Sequence, residues 1–170
     1  AAALCALICV TCGGGALGQS HEAECLTRGG AIAVKACGQA ILRAPGDARL
    51  HFKLGHVLAG DNKLDGAIVA FDEAIRLRPM TATYYVNRGA ALARHRSFGR
   101  AMADFDMALS LDPGNPDVYV NRGNTQAIQG KLDLAIDDYG QALGRDPANA
   151  RAFLNRGLAH ERKGDLDRAI

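Results

Sequence analysis

The sequence predicts an all-α array of repeated antiparallel helix pairs, and three observations carry that prediction. Asn-Arg-Gly recurs at Asn87-Arg88-Gly89, Asn121-Arg122-Gly123 and Asn155-Arg156-Gly157, a period of 34 residues. Pro45, Pro79, Pro113 and Pro147 keep the same period. Between the prolines, apolar residues fall at the i, i+3/i+4, i+7 spacing of amphipathic helices. A fixed period of this length marks a repeat array in which each unit is one small structural motif. The units run 48–81, 82–115, 116–149 and 150–170, the last truncated, after a degenerate capping repeat at 19–47 and an apolar leader at 1–18.

The leader, AAALCALICVTCGGGALG, carries no charge. Its apolar run is the length of a signal-peptide core and too short to span a bilayer comfortably. Ala16 and Gly18 stand at the −3 and −1 positions of a cleavage before Gln19. The reading is an exported protein, periplasmic or secreted and suited to a bacterial envelope, with no membrane insertion after cleavage; an uncleaved anchor is the alternative. Gly13, Gly15 and Gly18 fit GxGxxG, but they follow no strand and open no helix, so a nucleotide site is rejected.

Removal of residues 1–18 takes Cys5, Cys9 and Cys12 with it and leaves Cys25 and Cys37. An even pair in an oxidising compartment suggests a disulfide. Counting back from Pro45 puts Cys37 on the second helix of a degenerate unit near 30–43 and Cys25 on a short helix before it. A bridge there would staple a terminal unit that packs on one side only. Two buried free thiols are the alternative.

In the repeats proper, each first helix opens near a unit start, and each second helix carries the apolar stripe. Ile68, Phe71 and Ile75, preceded by Leu64, form the first stripe. It recurs at Phe98, Met102, Phe105 and Leu109, and again at Leu132, Ile136, Tyr139 and Leu143. The eighth residue of each unit is glycine (Gly55, Gly89, Gly123, Gly157). The twentieth is Ala67, Ala101, Ala135 and Ala169, and the twenty-seventh is Ala74, Ala108 and Ala142. Small residues let two helices approach closely, and the packing must offset the roughly 1 kcal/mol of helix propensity lost at each glycine. Gly60-Asp61-Asn62 and Gly130-Lys131 read as turns between helices.

This pattern of an aromatic, a glycine, a later alanine, an aromatic, an alanine and a closing proline resembles the tetratricopeptide repeat family over about residues 30–170. The resemblance implies a right-handed superhelical solenoid with a concave groove. The departure is at the seventh position, where the family favours leucine: Leu54 stands there once, then Arg88, Arg122 and Arg156. The chain supplies its own control. With Leu54 the twenty-third residue is Ala70, whereas with Arg88 and Arg122 it is Asp104 and Asp138. Arg88 with Asp104 and Arg122 with Asp138 are therefore expected to form structural ion pairs within a unit or with an adjacent one. The aliphatic stem of each arginine would replace the leucine packing.

The sixth position holds Lys53, Asn87, Asn121 and Asn155. By the resemblance, the second, fifth, sixth, ninth, twelfth and thirteenth residues of each first helix face the groove. The recurring asparagine is similar to the asparagine ladder in the superhelical domain of O-linked N-acetylglucosamine transferases. A carboxamide both donates to and accepts from an extended backbone, so the ladder implies peptide binding, with Lys53, Asn124, Arg94 and Arg151 among its neighbours. The alternative is that the asparagines brace neighbouring helices. A two-carboxylate clamp is incomplete: Asn124 and Asn155 match its middle, but Val120 stands where it needs lysine.

Lys plus Arg is 20 against 18 Asp plus Glu, a formal charge of +2, without the basic stripe of a nucleic-acid binder. The histidines form no HExxH motif, His21 with Cys25 is too few ligands for structural zinc, and there is no P-loop or nucleophile elbow. Neither a cofactor nor a metal is expected. The chain starts without Met and stops at Ile170 inside a repeat, so it reads as a fragment. The function expected is a non-catalytic module that binds an extended peptide or partner protein. The alternatives are a self-associating scaffold and the regulatory arm of an enzyme encoded beyond residue 170.

Overall fold

The structure, a computed structural model, describes residues 21–27 and 30–164. The leader 1–18, its proposed cleavage point, Ala169 and the end of the last unit lie outside these residues. Every regular element described is an α-helix: α1 (residues 21–27), α2 (Gly30–Arg43), α3 (Ala48–Gly60), α4 (Leu64–Leu77), α5 (Ala82–Arg94), α6 (Phe98–Leu111), α7 (Pro116–Ile128), α8 (Leu132–Arg145) and α9 (Ala150–Lys163). The chain divides into two compact units, one ending at Pro79 and one beginning at Met80.

In the first unit α2 packs on α3, and α3 packs on α4. The described part of α1 precedes them in the chain. It is tied in by Cys25, whose sulfur is 2.09 Å from that of Cys37 on α2. Both cysteines are fully buried, among Ala36, Ala40 and Leu50. Arg49 adds a link from α3, donating to Glu22 at 3.1 Å while also gripping Asp47, the α3 N-cap.

In the second unit each helix packs on the next from α5 to α9, and the first helices also touch one another, α5 on α7 and α7 on α9. The reason is the small-residue register. Ala101, Ala108, Ala135 and Ala142 are all fully buried at the helix crossings. The eighth-position glycines Gly89 and Gly123 lie under the ring of the twenty-fourth residue: a Cβ on Gly89 would stand 2.8 Å from Phe105, and one on Gly123 would stand 2.8 Å from Tyr139. In the first unit the same distance, Gly55 to Phe71, is 2.7 Å. These positions hold glycine for want of room.

The turn inside each pair is also repeated. Asn62, Arg96 and Gly130 have φ of 61°, 63° and 77°. The residue after each one donates its N–H back to the first helix, Lys63 to Leu58, Ser97 to Leu92 and Lys131 to Gln126. This left-handed residue, followed by a long return bond, is how many helices satisfy their last carbonyls. Turn residues revealed the first and third of these turns. The middle one carries an arginine, so composition alone gives no sign of it.

The turns between pairs hold the prolines, and a fourth-position side chain fastens two of them. His51 donates through Nε2 to the Pro45 carbonyl at 3.0 Å, and the Tyr119 hydroxyl donates to the Pro113 carbonyl at 3.3 Å. No described helix is long and apolar enough to cross a membrane.

Candidate functional site

The seventh-position arginines are placed by the same geometry. Arg88 donates to both oxygens of Asp104, at 2.8 and 2.6 Å, and Arg122 to both of Asp138, at 2.9 and 2.7 Å. Both aspartates are 5% exposed. Arg122 reaches a third oxygen, on Asp106 of the preceding pair, at 2.9 Å. The fork of a guanidinium matches a carboxylate bidentately, and Asp138 with Asp106 holds the Arg122 proton more firmly than usual. Each arginine also lies over the aromatic ring three residues before it, Arg88 over Tyr85 at 5.7 Å and Arg122 over Tyr119 at 5.7 Å. Arg156 repeats this stacking, over Phe153 at 5.4 Å. These residues brace the repeat.

Lys53 belongs to the first unit, on α3, half-buried. The remaining groove candidates belong to the second, on the adjoining first helices α5, α7 and α9. Asn87 donates to the Thr83 carbonyl one turn earlier in its own helix, at 2.8 Å. Asn121 is half-buried and its carboxamide has no hydrogen bond to a described side chain or backbone group. Asn155 donates to the Asn124 oxygen at 2.8 Å, across from α9 to α7. The ladder asparagines thus share a register without sharing a partner. Arg94 is exposed at the end of α5. Arg151 is exposed and paired with Asp117, because second-position residues of successive first helices stand side by side. A peptide contact by Arg151 would compete with that pair.

Asn124 and Asn155 open onto a cleft of about 440 Å³ between α7 and α9, floored by Tyr139 of α8. Its walls are Ala127, Ile128, Leu158 and Ala159, with Arg162 at the rim. Ile128 is 60% exposed and Leu158 47%. Sequence patterning had placed Tyr139 only in the buried stripe. The signal of a second role was there: Phe71 and Phe105 hold the equivalent position, so its hydroxyl is the feature to explain. Among the described residues no group of three or more His, Cys, Asp or Glu is placed to hold a metal ion.

The sequence matches the family model of the tetratricopeptide repeat over residues 28–79, 52–116 and 120–170. No curated protein matches it. Among solved structures, a crystal structure of MamA is similar at 26% identity and a TM-score of 0.72, covering 81% of this chain and 80% of that one. A MamA structure from Desulfovibrio magneticus RS-1 is similar at 21% identity and a TM-score of 0.79, covering 91% and 88%. The first tetratricopeptide repeat domain of Spaghetti (RPAP3), bound to the HSP90 peptide SRMEEVD, is similar at 24% identity and a TM-score of 0.65, covering 69% and 93%. With its helix pairs in one register and these matched segments running through most of the sequence, the chain belongs to the tetratricopeptide repeat family.

Proposed function

We propose that this chain is a protein-interaction module whose first-helix face, on α5, α7 and α9, binds an extended segment of a partner protein without chemistry of its own. The observation that carries this reading is the cleft between α7 and α9. Exposed Ile128 and Leu158 stand beside half-buried carboxamides there, the mix of apolar walls and a few placed polar groups that ligand sites use. Membership of a family of interaction repeats supports it, as does the peptide bound to the similar Spaghetti domain.

The test is a pull-down with the protein and with a variant carrying Asn87→Ala, Asn121→Ala and Asn155→Ala, both checked for equal helicity by circular dichroism. A partner held by the first and lost by the second is the expected result. Equal recovery would move the binding surface elsewhere and direct attention to self-association.

Export is part of the same proposal, with residues 1–18 removed and Cys25 joined to Cys37 in an oxidising compartment. The uncharged leader and the approach of the two sulfurs support it. Thiol labelling of denatured, unreduced protein should find neither cysteine reactive, and intact mass should lack the leader. Two labelled thiols, or a retained leader, would count against the respective step.

A further inference from the structure

Antiparallel helices joined by short turns send those turns alternately to two edges. In the second unit the turns inside the pairs, at 95–97 and 129–131, gather on one edge with the C-terminal end of α9. Two contacts show this. Lys163, at the end of α9, is 2.6 Å from Asp133 in the first turn of α8. Arg162 donates to the Ala127 carbonyl, in the last turn of α7, at 3.2 Å. The opposite edge joins Arg145 to the Pro113 carbonyl at 2.9 Å.

The first of these edges is basic. Arg94, Arg96, Arg100, Lys131, Arg162 and Lys163 stand on it, all exposed, against two carboxylates, Asp133 and Glu161. They come from three places far apart in the chain, so a nearly balanced total charge hides them. The repeat does not require this charge. Residues 94–100 carry three arginines and no acid, whereas the corresponding residues 60–66 of the first unit carry Asp61, Lys63 and Asp65. The helices α4 and α8 have Asp65 and Asp133 in their first turns, where α6 has no acid. Arg100 stands there instead, against the helix dipole. Local stability favours neither it nor Arg96 in its left-handed turn, and rules broken together in this way mark function.

Apolar side chains share the edge. Leu134, in the first turn of α8, is 52% exposed, and Ile128, the last residue of α7, is 60% exposed. Phe98 is half-buried beneath the Arg96 guanidinium. Cations on long stems around exposed aliphatic groups, carried on turn tips, fit a broad surface that is anionic outside and apolar beneath. An acidic peptide or a nucleic acid would meet the charges and leave Leu134 in water.

We propose that this edge of the second unit docks on a membrane surface bearing anionic lipids. The arginines and lysines meet the lipid phosphates, and Leu134 enters the boundary between headgroups and acyl chains. The docking is peripheral and needs no helix to cross the bilayer. It is independent of the groove reading above, and its failure would leave that reading untouched.

The test is flotation of the full chain with vesicles of phosphatidylcholine alone and of phosphatidylcholine mixed with phosphatidylglycerol. The leader is uncharged, so it contributes equally to both and the difference reads the edge. Each basic residue near an anionic surface improves partitioning about fivefold, so the mixed vesicles should be preferred by roughly a hundredfold or more. That preference should fade as the Debye length shrinks from about 10 Å at 0.1 M salt to about 3 Å at 1 M. Arg96→Gly with Arg100→Gln should remove roughly thirtyfold of it. Arg43→Gln with Arg78→Gln, two exposed cations of the first unit, should leave it nearly unchanged, with helicity checked for both pairs. Leu134→Ser should weaken binding to the mixed vesicles roughly fivefold at any salt, through lost apolar burial.

Equal binding to the two kinds of vesicle would overturn the assignment. So would equal losses from the two arginine pairs, which would reduce the effect to total charge. Retention on immobilised polyglutamate or duplex DNA, lost in the Arg96→Gly and Arg100→Gln variant, without binding to the mixed vesicles, would also overturn it. The edge would then belong to an acidic protein or a nucleic acid.

Discussion

Arg122 lies between two carboxylates, one in its own helix pair and one in the pair before. Asp138 is nearly inaccessible and Asp106 is 63% exposed, so the two contacts differ greatly in worth. An exposed pair contributes at most about 1 kcal/mol. Removing the partner of a buried charge costs about 3–5 kcal/mol. Arg122→Met is therefore expected to cost a few kcal/mol, and Asp106→Ala less than about 1 kcal/mol. A double-mutant cycle on Arg122 and Asp138, read from denaturant unfolding, should show strong coupling, and additive losses would assign the stability to packing instead. Glycines make a second residue-scale contrast. Gly123→Ala drives a methyl into the Tyr139 ring and the Ala135 carbonyl, and overpacking of this kind costs about 1–3 kcal/mol. Gly140→Ala, on α8 with nothing within 4 Å of the new carbon, should gain up to about 1 kcal/mol. Thermal melts of the two variants should move in opposite directions.

At the scale of the element, the turn inside each pair demands a left-handed residue, and the three described pairs meet that demand differently, with Asn62, Arg96 and Gly130. Arginine is the strained member, since only glycine and, to a lesser degree, asparagine visit this region freely. The Arg96 guanidinium recovers part of the cost by lying 5.7 Å from the Phe98 ring centre. Arg96→Gly is expected to stabilise the protein by about 0.5–1 kcal/mol, measured as a higher midpoint of unfolding; a lower midpoint would mean that the ring contact outweighs the strain. The order and phase of the helices could be read from the sequence, because a 34-residue period sets units side by side and lets each constrain the others. The Arg–Asp offset of sixteen residues stands in the sequence in the same way, since Leu54 and Ala70 change together relative to the other units. The triad in which Tyr139 and Asn155 both donate to the Asn124 oxygen does not. It joins three helices at offsets of 15 and 31 residues, and no periodic pattern distinguishes an asparagine that accepts from a neighbour from one, like Asn87, that turns to its own helix.

Over the whole molecule, a repeat array gains stability from each unit and from the contacts between neighbours, so damage stays local. At the start of the described chain, Cys25 with Cys37 and the Glu22–Arg49 pair tie α1 to α2 and α3. Replacing both cysteines by serine should cost about 2–4 kcal/mol, the usual scale for a closed loop of this length. Hydrogen exchange should show the loss concentrated in α1, α2 and the start of α3, with α7 to α9 protected as before. Faster exchange throughout would indicate that the two compact units unfold as one.

The wired triad has an implication for copy number. Asn124 and Tyr139 come from one 34-residue unit, and the third member is the sixth residue of whichever unit follows. Asparagine stands at that place in Asn121 as well as in Asn155. A gene duplication of residues 116–149 would therefore create two such triads, a single repeat step apart and facing the same way. On the groove reading proposed above, one strand long enough to span both would bind with the avidity of linked sites. Affinity in such an array can grow by copying a segment, with no new contact to invent.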